Sequence, residues 1–140
     1  MRSLRVVLAA LAVIAGVTLV AACGQSASGS SASQLASRTI NAGSVEVTIE
    51  PLRLDDSGAS FRVKLDTHSG DLNLDLAQAA HLEVAGTDWG TASWVGDPAG
   101  GHHRQGELRF APAGPLRGEI RLTISGLPDP VLATWNIASG

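Results

Sequence analysis

The 140-residue chain has one cysteine, Cys23, one methionine, Met1, no tyrosine and only two phenylalanines. A single thiol cannot close a disulfide within the chain, so the fold has to stand on its apolar core. A thioether copper site needs methionines beyond an initiator, and there are none. Positive charge is sparse as well. Lys and Arg number 10 against 13 Asp and Glu, for a net charge of −3, and the cations are scattered. The basic stripe that nucleic-acid binding requires is therefore missing, and nucleic acid is excluded as a partner. No Gly-x-Ser-x-Gly elbow occurs, and no glycine-rich loop precedes a helix to cradle phosphate. The chain is read as non-enzymatic.

What is present begins with Arg2 and Arg5, followed by an apolar run from Val6 to about Ala22 that ends Leu19-Val20-Ala21-Ala22 and meets Cys23. A charged start, an apolar stretch and small residues before a cleavage point are the parts of a secretory signal. The run is short for a spanning helix, which needs roughly 20 apolar residues. This region resembles the signal peptide of bacterial lipoproteins, whose lipobox is a small apolar tripeptide before a cysteine. The resemblance implies cleavage before Cys23, lipid on its thiol, and residence on the extracytoplasmic face of a bacterial membrane. The membrane is then one partner, reached through the anchor on Cys23. Two or more acyl chains, at about 0.8 kcal/mol per buried CH₂, hold a protein stably to a bilayer. The mature domain would keep no thiol, which excludes a thiolate metal site and a blue-copper centre.

The organisation follows: residues 1–22 as signal peptide, 23–43 as lipidated cysteine and flexible Ser/Ala/Gly tether, and 44–140 as the folded domain. Residues 24–43 carry too little apolar content to offset the entropy of ordering them. Without Arg2 and Arg5, 8 Lys and Arg remain against 13 Asp and Glu, a net charge of −5.

In the domain, apolar and polar residues alternate with period two. Val45, Val47 and Ile49 form one such set. Others are Phe61, Val63 and Leu65; Leu72, Leu74 and Leu76; and Ile120, Leu122 and Ile124. Shorter runs lie at Leu82–Val84, Leu108–Phe110 and Val131–Ile137. Asp55-Asp56-Ser57-Gly58 has the Asp and Gly of a type I turn and predicts a hairpin. Asp97-Pro98-Ala99-Gly100 has the same form, and Leu76–Ala80 favours a single helical turn. Together these predict an all-β domain: an immunoglobulin-like antiparallel sandwich of about seven strands. Trp135, in phase with Ala133 and Ile137, is expected in the core.

Three of the four histidines occur in two unusual contexts. One is Asp66-Thr67-His68-Ser69. The other runs from Trp94 through Gly100-Gly101-His102-His103-Arg104. On a strand Asp66 and His68 share a face, and imidazole with carboxylate suits Cu(II) or Zn(II). The expected metal set is His68 with His102 or His103, and Asp66 as ligand or orienter. Trp94 would cover the histidine loop. The alternative is that the histidines brace a loop, and the domain is a structural or protein-interaction module of the cell envelope. Asp71-Leu-Asn73-Leu-Asp75 fails as a calcium loop, since Leu76 stands where glycine is needed. His81, beside Glu83, reads as an exposed residue.

The two histidine contexts together resemble a group of uncharacterised bacterial secreted proteins and lipoproteins. That group carries an Asp-Thr-His-Ser segment and, further on, a Trp-x-Gly…Gly-Gly-His-His-Arg segment. The resemblance implies a β-sandwich and no particular activity. Asp66-Thr67-His68 is also similar to the Asp-x-His of CopC-type copper-resistance proteins, small periplasmic sandwiches that bind Cu(II). That likeness lacks the N-terminal histidine ligand, because Cys23 would be the mature N-terminus, so His102 or His103 would have to substitute.

Overall fold

A computed structural model describes residues 35–138 of the chain. Cys23 and the signal segment lie outside the described residues, as does the tether up to residue 34. Nine strands and one helical turn follow in order: β1 (Arg38–Ala42), β2 (Val45–Asp55), β3 (Gly58–Thr67), α1 (Leu76–Ala79), β4 (Ala80–Val84), β5 (Thr87–Thr91), β6 (Ser93–Gly96), β7 (His103–Phe110), β8 (Gly118–Ile124) and β9 (Val131–Ile137). They form two antiparallel sheets, a five-stranded one in the order β1-β2-β3-β7-β6 and a four-stranded one in the order β5-β4-β8-β9. The domain is a β-sandwich.

The alternation in the sequence becomes the two sides of each sheet. Val45, Val47 and Ile49 of β2 are buried, as are Phe61, Val63 and Leu65 of β3 and Ile120, Leu122 and Ile124 of β8. Burying such side chains contributes about 1.5–3 kcal/mol each. Phe61 anchors the centre. Its ring stacks on Trp135 at 5.4 Å and meets Phe110 edge-on at 6.2 Å, arrangements that aromatic quadrupoles favour. The Asp55–Gly58 turn closes the β2–β3 hairpin, with Asp55 Oδ1 accepting from Ser57 N at 2.8 Å. Pro51 is accommodated beside a register shift in β2, past the last residue that pairs with β1.

The sandwich expected from the sequence is present, with nine strands where about seven were anticipated. Two details differ. The folded domain starts before residue 44, because Arg38–Ala42 pairs with Val45–Ile49 as an edge strand. Polar composition hid this strand, whose core-facing residues are only Ile40 and Ala42. Its approach is fastened by Trp135, which donates from Nε1 to the Ala36 carbonyl at 2.8 Å, and by Arg38, which reaches the Thr134 carbonyl. Finally, Leu72, Leu74 and Leu76 do not lie on a strand. Residues 71–75 are irregular, and Asp75 caps α1 by accepting from Ala77 N at 3.0 Å and Gln78 N at 3.3 Å. A capping Asp competes with strand extension at that point.

A fragment of residues 44–140 lacks β1 and exposes the seam it covers. It should be less stable than residues 35–140 by roughly 3 kcal/mol, from Leu35, Ile40 and Ala42 together. Urea unfolding followed by tryptophan fluorescence measures this. Equal midpoints would show that β1 does not belong to the cooperative unit.

Candidate functional site

All the residues singled out by the two histidine contexts gather at one end of the sandwich. The register explains why. Asp66, near the end of β3, stands opposite Glu46 of β2 on one side and His103 of β7 on the other. His103 Nδ1 lies 2.5 Å from Asp66 Oδ1, and Lys64 Nζ lies 2.8 Å from Asp66 Oδ2. Both carboxylate oxygens are thus already engaged. The Lys64 hydrogen bond first, and that of His103 second, hold the Asp66 carboxyl below its ordinary value.

Thr67, the next residue, is buried and ties the turn together. Its hydroxyl lies within donating distance of the carbonyls of Ser69, at 2.8 Å, and Ser44, at 3.1 Å. Its backbone N–H donates to the His102 carbonyl at 2.9 Å. His68 and His102 are exposed. Among the described residues, no group of three or more His, Cys, Asp or Glu side chains is placed to hold a metal ion. Asp66 pairs with His103 across the sheet and not with His68 along the strand.

The second context is organised by Arg104, which the sequence reading passed over. Arg104 is only 3% exposed. Its Nη1 donates to the carbonyls of Leu72 at 3.0 Å and Leu74 at 2.6 Å, and its Nη2 reaches the Asp97 carbonyl at 3.4 Å. The guanidinium packs over Trp94, 5.6 Å from the ring centroid. Burial pushes its pKa down, while Asp97 and Asp75 oppose that shift; an arginine keeps its charge regardless. Its Nε is buried without a partner.

The glycines of the motif serve the same assembly. A Cβ on Gly106 would stand 2.6 Å from Trp94 Cζ2 and 2.7 Å from the Cα of Gly96. Both positions must be bare for the indole to lie where it does. Trp94 Nε1 donates to the Asp97 carbonyl at 2.8 Å, and Asp97 Oδ2 accepts from Gln105 N at 2.8 Å. Gly100 and Gly101, both at positive φ, turn the loop so that Gly100 N donates to the Leu72 carbonyl and Leu72 N donates to the Gly101 carbonyl, each at 2.9 Å. The 97–103 loop and the 67–75 segment are thus bonded to each other along their length. Of the sequence signals, only strand phase pointed to Arg104. It shares the inward phase of Gly106, Leu108 and Phe110, so the alternation, extended backwards, puts a charge on the apolar side.

His81 stands apart, exposed on the other sheet, with Nε2 3.6 Å from Asp88 Oδ1. No family model, no curated protein and no solved structure matches the chain.

Replacing Arg104 by Met leaves the Leu74 carbonyl without its donor, the Leu72 carbonyl with Gly100 N alone, and the guanidinium's place unfilled by polar atoms. It should destabilise the domain by roughly 3 kcal/mol. Arg104→Lys should recover little, since an ammonium cannot spread donors over three carbonyls and stack on an indole. Denaturant titration of the two variants decides this, and a lysine variant as stable as the parent would refute it.

Asp66 also sets a pH dependence. Its folded pKa lies below the ordinary 3.8, so its contribution is full above that value and is lost as pH falls through the lower folded value. Asp66→Asn should flatten the loss of melting temperature below about pH 4 relative to the parent. Identical acid profiles would show that the Lys64 and His103 contacts contribute nothing.

Proposed function

We propose that this chain is a membrane-anchored extracytoplasmic lipoprotein whose β-sandwich acts as a protein-interaction module of the cell envelope, with neither a metal nor catalysis in its role. The reading of the N-terminus rests on Arg2, Arg5, the apolar run and the small residues ahead of Cys23. The reading of the domain rests on one observation above all. Two of the side chains that suggested metal chemistry, Asp66 and His103, are engaged with each other, and the residues around them serve the fold. Arg104 and the glycines hold the 67–75 and 97–103 segments together. Asp66 is divided between Lys64 and His103. A carboxylate with both oxygens already engaged by neighbouring side chains is a poor ligand, because a metal would have to displace them. What such pinned loops offer is a fixed surface, and rigid loops on a β-scaffold are a common way to present a binding surface.

The expected outcome for the anchor is that Cys23→Ala, expressed in a bacterium with lipoprotein processing, leaves the membrane fraction and loses the added lipid mass. Retention of that mass would refute lipidation at Cys23. For the domain, dialysis of the folded protein against Cu(II) or Zn(II) should leave well under one equivalent bound. About one equivalent that survives dialysis and disappears in His103→Ala would replace the interaction reading with metal handling.

A further inference from the structure

At the end of the sandwich that holds the histidine contexts, a groove of about 380 Å³ runs between the 67–74 segment and the 126–128 loop. That volume falls in the range of ordinary ligand sites. One wall is the segment pinned by Arg104 and by Gly100 and Gly101. Leu74 lies against the other side, so closely that a Cβ on Gly126 would stand 2.7 Å from its Cδ1. The apolar lining comes from Leu72, Leu74, Leu127 and Pro128, and the exposed polar lining from Asp71 and Asn73. Across Ser44, which borders both, a second hollow carries Glu46, Asp66 and His68.

We infer that this groove takes an extended segment of a partner protein carrying basic side chains, an inference that rests on the interaction-module reading above and names its partner's chemistry. Three observations converge. First, the groove is preformed. Its wall is irregular backbone whose polar groups are satisfied by a buried guanidinium and a neighbouring loop, so little ordering remains to be done on binding. Second, the lining is half apolar and half polar, with Asn73 able to donate to and accept from a peptide backbone. Third, the surroundings favour cations. Residues 41–46, 64–75, 97–104 and 125–130, which build this end, contain six carboxylates against two cations, Lys64 and Arg104, a net charge of −4. Charge complementarity of this kind selects partners and speeds their encounter.

The geometry also leaves the groove accessible. The described chain meets the fold at Leu35 and Ala36, where the Ala36 carbonyl accepts from Trp135. Trp135 pairs with Ile120, close to the opposite end of β8. β1 then runs from that half towards the groove end. The described chain therefore begins at the end of the sandwich away from the groove.

The test uses the full chain in nanodiscs of uncharged lipid. It is titrated with a capped hexapeptide of alternating lysine and valine, and with a counterpart in which glutamine replaces lysine. The lysine peptide should bind at least fivefold more tightly, and raising salt should weaken it. Its amide chemical-shift changes should fall on Ser44, Asp71, Asn73 and Leu127. Asp71→Asn with Asn73→Ala, both exposed and outside the core, should reduce binding at least fivefold at unchanged melting temperature. Equal binding of the two peptides overturns the inference, as does an unaffected double variant or preferential binding of a neutral oligosaccharide. Shifts confined to the outer face of the five-stranded sheet would overturn the groove while leaving the interaction module standing. Loss of the module reading itself would show separately, as a retained metal equivalent.

Discussion

The end of the domain that carries its candidate surface depends on one buried cation. Arg104 lies on the apolar side of β7, where the strand's phase calls for a residue like Leu108 or Phe110. The segment opposite, residues 71–75, has apolar side chains that belong inside but no neighbouring strand to take its carbonyls. A buried carbonyl without a donor costs about 1–3 kcal/mol. The guanidinium resolves both problems at once. Its Nη1 serves Leu72 and Leu74, its Nη2 reaches Asp97, and its guanidinium lies over Trp94. A planar donor with five N–H groups is the side chain suited to this geometry.

That cation imposes conditions on its surroundings, and they account for the residue pattern. The indole of Trp94 needs bare backbone beneath it, hence glycine at both 96 and 106 on paired strands. The loop that caps the guanidinium must turn back sharply enough to bond Leu72 on both its N–H and its carbonyl, hence two positive-φ glycines at 100 and 101. His102 and His103 follow because they end that loop and begin β7. His103 then faces outward, opposite Asp66. A cluster of Trp, Gly, His and Arg in sequence is thus a packing solution centred on Arg104.

Much of the fold was legible in the sequence for a simple reason. Strands buried on one face repeat every two residues, and β8, β9, Val45–Ile49 of β2 and Phe61–Leu65 of β3 do so without interruption. The Asp55–Gly58 hairpin and the helical turn at Leu76 were legible from local chemistry. What escaped had competing signals. Leu72, Leu74 and Leu76 alternate as a strand would, and they are indeed turned inward to different degrees. No strand is available to pair with them, and periodicity carries no information on pairing. β1 escaped because Arg38-Thr39-Ile40-Asn41-Ala42 has too little apolar content to stand out from the Ser/Ala-rich stretch before it. The histidine contexts were legible as unusual, yet their chemistry depends on the β3–β7 register. One sequence cannot tell whether Asp66 meets His68 or His103, since either is consistent with a strand ending at Thr67.

The distribution of charge pairs also bears on which surface can choose a partner. The outer face of the five-stranded sheet is rich in charge, but its groups neutralise one another locally. Glu50 meets Arg62 at 2.7 Å, Lys64 meets Asp66 at 2.8 Å, and Glu107 meets Arg109 at 2.8 Å. Paired opposite charges cancel at distances beyond a few ångströms, and what survives is screened within about 8–10 Å at physiological salt. Such a face attracts neither sign strongly. Asp71 and Asp129, in loops without any Lys or Arg, have no such compensation nearby in sequence. Asp75 and Asp97 accept from backbone N–H groups and lie near the buried Arg104 guanidinium, which offsets part of their charge. The groove end therefore keeps a net negative charge, with Asp71 and Asp129 its uncompensated members. A basic segment arriving by diffusion is steered there before any contact forms, and the pinned wall then determines whether it fits.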